Sequence, residues 1–126
     1  NPSDSGSVIL CSKMAEYTKA VVDGRPNFHI SIVNQVSPFC DCHGENDVPV
    51  VPDIGMFASF DPVALDRACI DAVNAAPEIA SSILSEREHT HGDHFTNIHP
   101  TTNWRAQLDH AEKIGLGTQQ YELVKM

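Results

Sequence analysis

The segment PFCDCHG, residues 38–44, concentrates more potential chemistry than any other short stretch of the chain. Cys40 and Cys42 stand one residue apart, Asp41 lies between them, and His43 follows. Thiolate and imidazole are good ligands for zinc and for iron. A Cys-x-Cys pair supplies two ligands to one ion, although Cys-x2-Cys is the commoner zinc spacing. The same pair can close a short disulfide, which is strained and therefore oxidising. No Lys or Arg stands nearby in sequence to stabilise a thiolate, which weighs against that use. The plain alternative is a reduced turn that only shapes a loop.

A zinc or iron site needs further ligands, and a second source exists. His89, His91, His94 and His99 all fall within one polar stretch, EREHTHGDHFTNIHP, residues 86–100. Imidazole at this density suits metal binding. The expected site therefore uses Cys40 and Cys42 as cofactor ligands, with His43 and one or two of His89, His91, His94 and His99. It requires the two loops to meet. If they do not, the histidines are ordinary exposed loop residues. No catalytic residue is assigned.

The run His89-Thr90-His91-Gly92-Asp93-His94 also resembles the H-x-H-x-D-H motif of the metallo-β-lactamase superfamily, where two zinc ions activate water. The preceding residues, SSILSERE, are polar and charged where that motif follows a buried strand. Too little chain follows His94 for the other metal-binding loops of that fold. A metal-dependent hydrolase using His89, His91, Asp93 and His94 is thus the least favoured alternative. Asp47, Asp53, Asp61 and Asp66 offer carboxylates, but caps and turns are the usual occupation of Asp at such places. No phosphate-binding glycine loop and no G-x-S-x-G elbow is present, so nucleotide handling and serine hydrolysis have no support.

These groups must be positioned by a scaffold. Residues 7–22 carry apolar positions at helical spacing: Leu10, Met14, Tyr17 and Val21, with Cys11, Ala15, Thr18 and Val22 alongside. Asp23-Gly24 ends this helix. NFHISIVNQV, residues 27–36, alternates as a strand, with Phe28, Ile30 and Ile32 on one side and His29, Ser31 and Val33 on the other. It leads directly into the cysteine turn. After a loop with a short extended piece at 48–51, residues 54–60 read as a buried strand. Asp61-Pro62 starts a helix in which Cys69 is a core residue. Pro77 opens a short helix to about Leu84, a helix spans 103–114, and QYELVKM closes as a strand. The order predicts an α/β domain: a small mixed sheet flanked by helices, itself part of a larger α/β domain.

Bulk properties narrow the partners. The chain has 126 residues, 41% of them hydrophobic, and a net charge of −9. Such acidity argues against nucleic acid and against anionic membrane as partners. No apolar run approaches the roughly 20 residues needed to cross a bilayer. Four cysteines without regular spacing do not form a secreted disulfide framework, so a reducing, cytoplasmic setting is expected. The opening NPSDSGS suggests a portion of a longer protein.

PFCDCHGENDVPVVPDIGMFASFDPVALDRACIDAVN, with HP, Trp104 and AEKIGLGTQQYELVKM after it, resembles the C-terminal part of the domain-of-unknown-function 362 family, uncharacterised proteins often described as iron–sulfur centre proteins. The resemblance implies a longer N-terminal α/β part and, in many members, a ferredoxin-like insert with 4Fe–4S cysteine motifs. Residues 1–126 would then form a single domain, the C-terminal portion, with that insert absent. No C-x2-C-x2-C-x3-C-P run occurs here, so a 4Fe–4S cluster would belong to sequence outside these residues. The resemblance implies no reaction. It implies an iron–sulfur-associated binding or redox module, with zinc or iron possible at Cys40 and Cys42 and an electron-transfer partner unknown. A purely structural half of an α/β domain is the alternative. A sheet divided between halves exposes an edge and an apolar face, so the missing N-terminal half or a homo-oligomer is expected to cover it.

Overall fold

The computed structural model describes residues 2–126. Its elements run α1 (Pro2–Val22), β1 (His29–Val33), β2 (Gly55–Ser59), α2 (Pro62–Ala75), α3 (Ile83–Glu86), α4 (His94–Ile98) and α5 (Trp104–Lys113). The fold is α/β, with helices on a small sheet. β1 and β2 pair antiparallel, His29 opposite Ser59 and Val33 opposite Gly55.

Most boundaries follow local chemistry. Asp61 caps α2 by accepting from the N–H groups of Val63 and Ala64 at 2.8 and 3.0 Å. Asn103 caps α5, accepting from the N–H of Ala106 at 3.1 Å. Gly24 and Gly115 take the left-handed conformation just past α1 and α5, at φ 68° and 76°. α1 begins earlier than its apolar spacing predicts, because Pro2 suits the first helical turn.

Three expected elements differ. Residues 77–82 do not form a helix: the N–H of Ile79 donates to the carbonyl of Val50 at 2.8 Å, and Ser81 sits at φ 67°. Only Ile83–Glu86 then coils, capped by Ser82. The histidine stretch, expected as loop, contains α4, because Asp93 caps it by accepting from the N–H of Thr96 at 2.9 Å. QYELVKM forms no strand. Side chains hold that ending instead: Tyr121 donates its hydroxyl to Asp71 at 2.9 Å, and Asp71 is also bonded by Arg67 Nε at 3.0 Å.

Two packed clusters hold the molecule. Val33, Val50, Val51, Val73, Leu84 and Ile98 are buried together between α2, the sheet and the long β1–β2 connection. Ala15, Val63, Leu108 and Ala111 pack α1, α2 and α5. α1 meets α5 through small Ala15, while its larger apolar residues point outward. Leu10, Met14, Tyr17 and Val21, expected as the buried stripe, are 62%, 47%, 74% and 65% exposed. The sheet is covered on one side only. His29, Ser31 and Val33 face inward, whereas Phe28, Ile30 and Ile32 face out beside Met56, Ala58 and Phe60. Ile30 lies opposite Ala58 and Ile32 opposite Met56, and the rings of Phe28 and Phe60 are 4.9 Å apart.

The chain ending is tied to the start of α2 at one crowded point. Asp61 Oδ2 accepts from the N–H of Thr118 at 2.9 Å, and a Cβ on Gly117 would fall inside the Asp61 carboxylate. Gly117→Ala is therefore expected to destabilise the protein by about 1–3 kcal/mol, the usual range for overpacking. Asp61→Ala should cost about 1 kcal/mol through the lost cap. Because the Asp61 side chain causes the clash, the double variant should be clearly less destabilised than the sum of the two. Urea denaturation of the four proteins measures this; strict additivity would show that the contact is not what constrains Gly117.

Candidate thiol site on the β1–β2 loop

Residues 34–54 leave β1 and return to β2, and the base of this excursion is built into the core. The N–H of Ile54 donates to Val33 at 2.9 Å and that of Val50 to Val36 at 2.8 Å. Val50 and Val51 are 1% and 0% exposed. Pro49 and Pro52 lack N–H groups, and the segment, bent at Val48, Val50 and Val51, packs as a plug and builds no ladder. Asp53 accepts from the N–H of Gln35 at 2.7 Å, which closes the neck.

Asn46 staples the outer part of the loop. Its Nδ2 donates to Ser37 Oγ and to the Phe39 carbonyl, both at 3.2 Å. Its Oδ1 accepts from the N–H of Asp47 at 3.0 Å. Beyond that staple, the N–H of His43 donates to the carbonyl of Cys40 at 2.9 Å, closing a tight turn over Cys40-Asp41-Cys42. Both cysteines are free and exposed. Sequence reasoning missed Asn46; its place just before a proline-flanked buried segment was the available signal.

The two thiols influence each other. The backbone N–H of Cys42 and then its thiol hold the Cys40 thiol below its ordinary range, outweighing the upward push of desolvation and of Asp41. The Cys42 thiol is pushed up, chiefly by its hydrogen bond with Cys40 and then by the charge there. Cys40 is thus the more readily ionised of the pair.

The cysteine and histidine loops do meet, at a single histidine. His99 Nε2 lies 2.6 Å from the carbonyl of Pro38, and its ring stands edge-on to Phe39 at 5.6 Å. A carbonyl only accepts, so Nε2 is the donor in this bond. His43 lies against the same Phe39 ring at 5.3 Å. The rings of two of the other three histidines are bonded elsewhere. His94 Nε2 bonds the Ala76 carbonyl at 2.9 Å, and the His94 N–H donates to Asn74 at 2.9 Å. His89 Nε2 bonds the Leu84 carbonyl at 3.0 Å and lies 3.1 Å from Glu78. His91 is exposed, its N–H donating to Asn97 at 3.0 Å.

Asp93 is buried and spent on structure. It accepts from Thr96 Oγ1 at 2.9 Å, from Trp104 Nε1 at 3.1 Å and from Arg105 Nη1 at 3.1 Å. Burial alone would raise its carboxyl; these bonds outweigh it and hold the group below the usual carboxylate range. Among the described residues, no three His, Cys, Asp or Glu side chains converge as an ion-enclosing group. Cys11 lies part-buried on α1. Cys69, on α2, faces Ser31, and burial pushes its thiol up.

Residues 3–71 match the family model described as Domain of unknown function (DUF362). The chain belongs to this family. No curated protein and no solved structure matches it. The matched span of this DUF362 chain runs from α1 into α2 and includes the whole thiol loop. The ending GLG-x3-YEL lies beyond that span and still touches it, through Asp61 and Asp71.

The unequal thiols yield a direct expectation. Near neutral pH, Cys40 should be alkylated by iodoacetamide several-fold faster than Cys42, because the more acidic thiol carries more thiolate. Peptide mass spectrometry after short labelling times reads the order. Equal labelling, or Cys42 first, would contradict the bonding described for the turn.

Proposed function

We propose that the protein is a metal- or iron–sulfur-associated binding or redox module whose working group is the Cys40-Asp41-Cys42-His43 turn. The observation that carries this reading is two free, exposed thiols placed side by side on a loop whose base is buried. A turn with no chemical role gains nothing from paired cysteines on its surface, where free thiols invite oxidation. Cys40 and Cys42 act as thiolate ligands, and His43 and His99 flank them around Phe39. A zinc or iron ion would take its remaining ligands from water or from another polypeptide. If an iron–sulfur cluster takes part, it supplies the electron, and this portion shapes the surface against which it works. A reducing, cytoplasmic setting keeps the thiols available. Within the described residues no helix is long and apolar enough to cross a membrane.

The test is elemental analysis of the chain purified without a tag and without oxygen, as isolated and after reconstitution with ferrous iron and sulfide or with zinc. Metal near one equivalent is expected, lost on Cys40→Ser or Cys42→Ser and retained on His91→Ala and His94→Ala. Metal content indifferent to both serine substitutions would defeat the reading.

One observation favours a second reading, that residues 1–126 complete a larger α/β domain. Six apolar side chains of β1, β2 and their flanks lie on one uncovered face, with Ile30 59%, Met56 70% and Phe60 79% exposed. Such a face is a cost in water and a contact surface when covered. The cover would be a complementary half-domain, or a second copy where that half is absent. The chain alone should then bind a hydrophobic dye and self-associate in sedimentation experiments. Ile30→Lys with Met56→Lys should suppress both while leaving helix content unchanged. A dye-silent, monomeric parent chain would argue that the face needs no cover.

A further inference from the structure

We infer that residues 120–126 are a β-strand donated to the open sheet of a second copy of this chain, each of two copies giving its ending to the other. This rests on the reading of residues 1–126 as a unit whose sheet needs covering, and it names the partner and the segment that makes the contact.

The ending has the pattern of a strand. Tyr121, Leu123 and Lys125 alternate with Glu122, Val124 and Met126, and Tyr121, Leu123, Val124 and Met126 are exposed. Among the described residues, no main-chain group of Tyr121–Met126 bonds to another main-chain group. The acceptor lies in the same chain. The sheet has two strands, so β1 and β2 each present one unpaired edge. Each strand is five residues long, and Glu122–Met126 can pair along either.

Its root holds the ending away from its own sheet. The N–H of Thr118 donates to Asp61 and the Tyr121 hydroxyl to Asp71, both at 2.9 Å, and Gln119 Oε1 accepts from Arg67 Nη1 at 3.3 Å. Arg67 and Asp71 each stand two positions from Cys69, which faces Ser31 of β1. Two positions are about 200° of helical turn, so the ending is rooted on the far side of α2 from the sheet. The helix, about 10 Å across with its side chains, separates the two. A strand rooted there meets the sheet of a neighbouring copy with its root undisturbed.

Strand addition also meets the apolar face. An added strand sends alternate side chains to either side of the sheet. Leu123 from one row, or Val124 and Met126 from the other, then extends the surface of Ile30, Ile32 and Met56. Main-chain bonds supply the affinity in such pairing and the alternate side chains supply the fit. Because both copies give and both receive, the contact closes on itself and stops at a dimer.

The experiment is sedimentation of the full chain and two variants. Leu123→Pro with Val124→Pro removes two consecutive N–H groups, one of which any register needs, and leaves the acceptor sheet intact. Ile30→Lys with Met56→Lys spoils the acceptor sheet and leaves the donor. The parent should be dimeric, and each variant alone should dimerise about tenfold or more weakly, as expected for two or more lost hydrogen bonds. An equimolar mixture of the two variants should recover a one-to-one complex, because one still donates and the other still accepts. A monomeric parent that binds no hydrophobic dye overturns this inference and the reading beneath it. A monomeric parent that binds the dye, a dimer that the proline variant keeps, or variants that fail to complement overturn strand exchange and leave that reading standing. Circular dichroism of each variant separates lost association from lost folding.

Discussion

The burial of Val50 and Val51 is the contact on which the arrangement of this protein turns. Fully burying two valines is worth about 1.5–3 kcal/mol each. Closing a flexible loop the length of residues 34–54 costs on the order of 3 kcal/mol. The pair is thus sufficient to hold a loop that would otherwise be free. It does so with backbone bonds on both sides, Val50 donating to Val36 and accepting from Ile79. Sheet, α2 and the turn before α3 are joined through one short segment, and the thiol turn rides on that junction.

A similar economy governs the acidic residues. With net charge −9, free carboxylates would add repulsion. Asp61, Asp71 and Asp93 are instead spent as acceptors, Asp61 at a helix start and against the chain ending, Asp71 between Arg67 and Tyr121, Asp93 between α4 and α5. Asp61 and Asp71 join segments far apart in sequence, and Asp93 joins two helices that follow one another. Asp61 and Asp93, two of the carboxylates that the sequence offered for chemistry, thus hold the fold together, and the exposed thiols stand apart from them.

Membership of a family defined without an activity leaves chemistry to the residues. The four cysteines fall into two kinds. Cys11 and Cys69 are packing residues on helices, part-buried, with the Cys69 thiol made less acidic by its surroundings. Cys40 and Cys42 are exposed, adjacent and unequal in acidity. The apolar outer faces of the sheet and of α1 add a second unsatisfied feature, one of contact and not of chemistry.

The sequence alone determined what depends on near neighbours. Asp61-Pro62 and Asp23-Gly24 marked helix ends because a cap needs only residues a few positions away. Alternation over residues 27–36 located β1, whereas the short extended piece expected at 48–51 is bent. The CDCH turn was visible as a possible site from residue types and spacing. What tertiary structure decided was which face of each element is covered and which loops touch. Periodicity in α1 identified a stripe at Leu10, Met14, Tyr17 and Val21, yet the close approach of α5 selected the side carrying Ala15, since small residues allow helices near one another. Only folding showed that His99, and not its three neighbours in sequence, reaches the thiol loop. A hydrophobic pattern states that a surface needs covering, and a histidine that it can bind; the partner of each is chosen by contacts between residues far apart in the chain, which no local pattern records.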